Sequence, residues 1–318
     1  MSVTREPSFF SGINRFGRDW AVIARADGSP VGMYACSEQQ IHLNGVPTAL
    51  GYLGGLRVTP SARNKLRILR DGYASMRKFS EPRTPELWYS AIASENLVAR
   101  RILEANLREM PHYRGVNDLV TMALPRVRGQ RRSLWRQVRP DELGKLCDFY
   151  NQHSSQYQFS PVLSTEIAAR TGAVFCVAEA QGEFKACMSL WNQQSYKQVV
   201  VCAYRSPLGA LLPIYNGYAR LARKVVLPRV GQNLDQAYLA FWAVSPPLDQ
   251  KIKELVEDAL AISQTAVLIL GVHAQHPCLA PLLRTFRPAI YNTRIYTVDF
   301  GESVTLDRRP AQPEVAVL

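Results

Sequence analysis

Apolar and polar positions alternate along this chain in two rhythms, and the order of the rhythms repeats. Residues 22–32 read VIARADGSPVG and residues 176–186 read CVAEAQGEFKA. Each is an apolar run, a two-residue turn (Asp27-Gly28, Gln181-Gly182) and a returning run, which predicts a β-hairpin. After the first hairpin come the strand-like TALGYLGGLRV, a helix-period segment over about 63–78, the strand LWYSAIA, the helix SENLVARRILEANL and the strand VNDLVTMAL. After the second come the strand QAYLAFWAV, the helix SPPLDQKIKELVEDALAIS, the strand AVLILGV, the helix HPCLAPLLRTF and the strand IYNTRIYTVDF. The succession hairpin, strand, helix, strand, helix, strand therefore occurs twice, the mark of duplicated α/β units. The predicted boundary lies near residue 130, in an Arg-rich connection, giving units over 1–130 and 131–300. Residues 301–318, rich in Pro and polar residues, read as a loosely held tail.

Composition narrows the class. The 318 residues are 47% hydrophobic and 20% charged, enough to build two cores. No run of 18 apolar residues is present and no apolar core follows the N-terminus, so neither a membrane span nor a secretory signal is expected. Six cysteines without C-x-x-C spacing read as thiols of a reducing, cytoplasmic compartment. The net charge of +12, from 38 Lys and Arg against 26 Asp and Glu, favours an anionic partner.

That charge is concentrated at LRVTPSARNKLRILRDGY, residues 56–73, where a strand hands over to a helix. At about 100° per residue, Arg63, Arg67, Arg70, Arg77 and Lys78 share one side of the helix, and Leu66, Leu69, Tyr73 and Met76 share another. A helix N-terminus offers free N–H groups and a partial positive charge, so the junction suits phosphate. A solvated basic face is the plainer alternative.

Val58, Pro60 and Arg63 in this stretch resemble the cofactor motif of the GNAT N-acetyltransferase superfamily, in which a V-x-P strand end precedes a loop that cradles the pyrophosphate of acetyl-CoA. Asn96 and Ala99 resemble the pair that lies beside the pantetheine arm in the same family. The resemblance implies an α/β (α+β type) fold of two tandem GNAT-like domains, each a mixed, mostly antiparallel sheet flanked by helices. It also implies that acetyl-CoA is the co-substrate, held by Leu56, Arg57 and Val58 on the strand, by Arg63, Asn64, Lys65, Leu66, Arg67 and Ile68, and by Asn96. The acceptor it implies is a small-molecule or peptide amine. This chain departs from the pattern in four places. Leu66 and Ile68 stand where the family has Gly or Ala, Leu103 stands where it often has an acidic Tyr, and the strand has no Glu base. Tyr52 is the one ionisable hydroxyl on that strand and the candidate catalytic residue. In the second unit Asp249 falls on the position of Arg63 and would repel pyrophosphate, so that unit is expected to be structural or substrate-binding and to hold no CoA.

The lost motif residues leave a second reading, an acyl-CoA-binding sensor or scaffold without catalysis. The basic excess, with aromatic and basic residues mixed in PIYNGYARLARKVVLPR, leaves a third, nucleic-acid binding. His273, His276 and Cys278 sit close enough to suggest zinc, but without a fourth ligand they read as capping and packing.

Overall fold

The computed structural model describes residues 2–60, 66–79, 85, 87–126, 133–204, 206–221, 226–301 and 304–318. The boundary expected near residue 130 falls outside them. The first half contains β1 (Ser2–Thr4), β2 (Arg18–Ala26), β3 (Ser29–Leu43), β4 (Val46–Val58), α1 (Leu66–Phe79), β5 (Trp88–Ala93), α2 (Leu97–Leu103) and β6 (His112–Pro125). The second contains β7 (Arg136–Gln137), α3 (Leu143–Ser154), α4 (Thr165–Thr171), β8 (Val174–Ala180), β9 (Glu183–Trp191), β10 (Gln198–Val200), α5 (Leu208–Leu221), β11 (Gln236–Val244), α6 (Ile252–Ile262), β12 (Val267–His273), α7 (Leu279–Phe286) and β13 (Ala289–Asp299).

Both predicted hairpins form. Ala26 pairs with Ser29 and Ala180 with Glu183, and both turns use left-handed backbone at each central residue (φ 49° and 77°, φ 55° and 77°). Such turns match the right-handed twist of the strands they join, and Asp-Gly and Gln-Gly tolerate them.

Eleven strands make one sheet in the order β2-β3-β4-β5-β13-β6-β12-β11-β9-β8-β7. Neighbours run antiparallel except at β4–β5 and β11–β12, which are parallel. The two halves share this sheet by exchanging strands. β13, from the end of the chain, inserts between β5 and β6 of the first half, while β6 continues into the second half by pairing with β12. The helices cover the faces, burying among others Tyr73, Met76, Trp88 and Leu103 in the first half and Trp135, Leu255, Leu260 and Leu282 in the second.

Each parallel pair is short and then parts. β4 meets β5 only at Gly51↔Trp88, Tyr52↔Tyr89 and Leu53↔Ser90, and β11 meets β12 only at Gln236↔Val267, Ala237↔Leu268 and Tyr238↔Ile269. Each leading strand then carries an irregularity on its other edge, at Gly55–Leu56 in β4, just after Gly54, and at Phe241–Trp242 in β11. Gly55 (φ 64°) and Phe241 (φ 49°) both take left-handed backbone there. The likeness of the two halves thus extends to the bulges, which re-aim the strand where a sheet opens.

The tail is not loose. Residues 304–318 run across the sheet. Asn44 binds Thr305 O and Asp307 N, Asn117 binds both main-chain groups of Ala311, and Gln193 Nε2 donates to Ala316 O at 2.8 Å. Ala311 and Ala316 are buried, and Val315 packs on Gly271 so closely that a Cβ there would meet it at 1.9 Å. Glu314 accepts from Phe241 N (2.9 Å) and Ala316 N (3.3 Å). The tail therefore sits on β11 and β12, and its carboxylate takes the N–H of the second half's bulge.

Burial pushes the Glu314 carboxyl up from its ordinary 4.5 to about 7, the N–H groups only partly offsetting this. A carboxyl that holds its proton more tightly folded than unfolded stabilises the fold fully below pH 4.5, and that contribution is lost as pH rises through about 7. The melting temperature of the Glu314→Gln variant should therefore fall less than that of the natural chain between these pH values. Parallel curves would exclude the effect.

Candidate functional site

Where β4 and β5 part, a cleft of about 960 Å³ opens, the size of a ligand site. Its walls are Leu53 to Val58 of β4, Leu66 to Ser75 of α1 in part, Ser90 to Ala93 of β5, and Asn96, Ala99, Leu103 and Tyr113. Beyond Leu53 the edge of β4 facing β5 has no strand partner, because β4 continues to pair only with β3. Such an edge presents N–H and C=O groups to whatever extended amide enters the gap. At the apex Ser90 Oγ donates to Leu53 O at 2.8 Å.

Most of the predicted binding residues come together here. Leu56, Arg57, Val58, Leu66, Arg67, Ile68 and Asn96 all line the cleft. Arg63, Asn64 and Lys65 lie outside the described residues, as do residues 127–132 of the basic connection and the side chains of Arg77 and Lys78. Arg67 is exposed and pairs with Asp71 one turn on at 3.6 Å. Such a surface pair is weak and leaves the guanidinium free to exchange toward a phosphate. Asn96 caps α2 by accepting from Ala99 N at 3.2 Å, which fixes both residues at the cleft wall.

Tyr52 does not face this cleft. Successive strand residues point to opposite faces, and Leu53 takes the cleft side while Tyr52 packs on the Tyr89 ring (5.0 Å between centroids). Burial raises its hydroxyl well above the usual range, Arg5 opposing this, so it keeps its proton at neutral pH. Leu103 lines the cleft, as an apolar wall. Two hydroxyls from elsewhere in the chain do stand here. Tyr113 of β6 and Tyr73 of α1 both reach the cleft with hydroxyls 2.8 Å apart. Burial pushes Tyr73 up to about 12 and Tyr113 well above its ordinary value, so both keep their protons at neutral pH and can donate hydrogen bonds.

A second cavity of about 590 Å³ lies on the other side of β4. It shares Met33, Gly54, Gly55 and Arg57 with the cleft, so the two spaces meet at the β4 bulge. Tyr52, Arg5, Arg15, Trp20, Trp191, Gln193, Tyr196, Lys197 and the tail from Ala316 to Leu318 line it. Lys197 Nζ donates to Leu318 O at 2.9 Å and lies 5.6 Å from the centre of the Tyr238 ring. Burial, with the charge of Arg5 adding to it, pushes this amine down from 10.5 to about 8. A lone Lys in SYKQVV carries no motif, and nothing in the local pattern singles it out.

The other candidates dissolve into structure. Among the described residues no group of His, Cys, Asp and Glu is arranged to hold a metal. His273 and His276 instead pack against Tyr157, and burial pushes His276 down to about 4. No helix among the described residues is long and apolar enough to cross a membrane.

No family model matches the sequence, and no curated protein is similar enough in sequence to count as a relative. Solved structures are similar in fold. N-myristoyltransferase of Saccharomyces cerevisiae with bound myristoyl-CoA superposes at a TM-score of 0.54 and 10% identity, over 89% of this chain and 72% of that one. A second structure of the same yeast enzyme gives 0.53 and 10%, over 85% and 64%. A GCN5-related N-acetyltransferase from Anabaena variabilis is matched at 0.48 and 9%, over 87% of this chain and 62% of that one. The chain thus spans less than two thirds of the length of some of these proteins. At such identities the likeness shows the fold alone: that of the yeast N-myristoyltransferase, mixed α/β with a mostly antiparallel sheet flanked by helices.

Proposed function

We propose that this chain is an acyl-CoA-dependent N-acyltransferase whose first half binds the thioester in the β4–β5 cleft. The observation that carries the reading is the unpaired edge of β4, which opens into a cleft and meets a separate cavity at the β4 bulge. The pantetheine amides would pair with main-chain groups of Leu56 to Val58, with Asn96 and Ala99 across the gap and the phosphates toward Arg67 and the start of α1. The amine acceptor would approach through the second cavity and attack the thioester carbon at the bulge. Held in one geometry, two reactants gain most of what a bimolecular reaction loses in orientation.

Proton traffic then has named groups. The acceptor arrives as an ammonium, and Lys197, neutral in good part near pH 8, takes its proton. The C–S bond breaks as the C–N bond forms, and the nitrogen's second proton passes to the leaving thiolate, toward which Tyr113, backed by Tyr73, donates a hydrogen bond. Solvent then takes the proton from Lys197. Tyr52 has no proton-transfer step in this scheme and forms an aromatic wall of the acceptor cavity. Acetyl-CoA is the proposed donor. Yeast N-myristoyltransferase, with bound myristoyl-CoA, gives the likeness of fold but leaves the acyl chain open.

The second half would hold no CoA. Its bulge N–H at Phe241 is taken by Glu314 and its strand edges lie under the tail, in addition to Asp249 at the position of Arg63. Free cysteines at all six positions fit a reducing, cytoplasmic setting.

Calorimetric titration with acetyl-CoA, followed by thiol release over a panel of amines, tests the proposal. Saturable binding at one site per chain and amine-dependent thiol release are expected. No binding at millimolar acetyl-CoA would overturn it, and binding with silence across the panel would favour a sensor.

A further inference from the structure

The second cavity is built for more than an amine. Three arginines, Arg5, Arg15 and Arg57, line it together with Lys197, which is bound to Leu318 O, and Asp19 is the one acidic side chain in the lining. Asp19 is already engaged, accepting from Asn14 N at 2.7 Å. Among the described residues no carboxylate forms an ion pair with Arg5, Arg15 or Arg57. Arg5 lies over the Phe9 ring, another wall of the cavity, with its guanidinium 5.1 Å from the ring centre. Arg15 lies over the Tyr196 ring, 4.4 Å from its centre.

Buried polar groups in the same walls also lack partners. Gln193 donates to Ala316 O, but its Oε1 makes no hydrogen bond although the residue is only 3% exposed. Arg15 Nε is likewise buried without one, while Trp191 Nε1 and the Tyr196 hydroxyl face each other. Buried polar atoms are nearly always satisfied, so these two in the walls of one cavity mark groups waiting for a ligand. Arg15 Nε, with the other arginines, calls for an anion. Gln193 Oε1 calls for an N–H.

Resting on the acyltransferase reading, we infer that the acceptor is an amine that also carries an anionic group, a carboxylate or a phosphate. Arg5 and Arg15 hold the anion, Gln193 Oε1 takes an N–H of the ligand, and the attacking nitrogen lies toward Gly54–Gly55, where the thioester carbon arrives. The arginines also explain the division of labour with Lys197. Their planar guanidinium forks suit a carboxylate or phosphate and bind the anion, while the buried lysine is left to exchange a proton.

Matched pairs test this on the full chain: phenylalanine against 2-phenylethylamine, and O-phosphoethanolamine against ethanolamine. Binding is followed by calorimetry without CoA, and thiol release with acetyl-CoA present. The anionic member of at least one pair should bind about tenfold or more tightly than its neutral partner, the worth of one charged hydrogen bond. Its kcat/KM should be higher by a similar factor. Arg5→Met should remove the difference by weakening the anionic member alone. Equal binding of both members in both pairs, no binding of any at millimolar concentration, or a preference that survives Arg5→Met would overturn the inference. The comparison within the natural chain needs no variant, so a misfolded Arg5→Met would not rescue it. The binding arm needs no acyl-CoA, so a preference for anionic amines in a chain that binds no acetyl-CoA would sink the acyltransferase reading while leaving the cavity's specificity standing.

Discussion

Ala99→Trp is expected to abolish useful acyl-CoA binding without unfolding the chain. Ala99 stands on the cleft wall, its N–H held by Asn96 and its methyl beside Leu103. An indole there occupies the gap between α2 and β4 through which the pantetheine arm would run. Steric overfilling costs about 1–3 kcal/mol, which converts to a loss of about 5- to 150-fold in affinity. Ala99 is half-buried at the cleft wall, so the melting temperature is measured alongside, and lost affinity at a melting temperature close to that of the natural chain assigns the cost to binding. Calorimetry on the variant checks this, and unchanged affinity would move the site elsewhere.

Lys197→Met is expected to separate chemistry from binding. In the natural chain kcat/KM should rise as pH climbs through about 8, because only the neutral amine can take the acceptor's proton and Lys197 is neutral above its own pKa. The groups that set this value are the low-dielectric walls around it, first, and the charge of Arg5, second. Removing the amine should lower kcat/KM by about 10²–10⁴, the usual worth of a positioned acid or base. The rise near pH 8 should vanish and acyl-CoA affinity should be unchanged. An unaltered pH profile in the variant would remove Lys197 from the mechanism.

The sequence made the elements legible because each rests on local physics. The two hairpins follow from Asp27-Gly28 and Gln181-Gly182, while the strand end at Val58 and the pair Asn96 and Ala99 are singled out by the resemblance to the GNAT family. What it hid depends on contacts distant in the chain. Nothing in IYNTRIYTVDF says that β13 will enter between β5 and β6, since either half's edge could accept its alternating pattern. The tail looks loose by composition, and it is ordered by Asn44, Asn117 and Gln193, which lie far back in the chain. The same distance concealed the chemistry. A scan for a Tyr seven residues after Asn96 meets Leu103, whereas the hydroxyl pair comes from α1 and β6. Tyr52 drew notice for being on the right strand, but alternation turns it to the opposite face from Leu53.

The central claim is that the first half's parted strands, and not the second half's, receive the thioester. Hydrogen–deuterium exchange of the full chain with and without saturating acetyl-CoA tests it most directly. Slower exchange should appear over residues 53–58 and 90–99, where strand edge and helix cap face the ligand, and be absent over residues 239–244 and 269–273. Protection confined to the second set, or none in the first, would contradict the account.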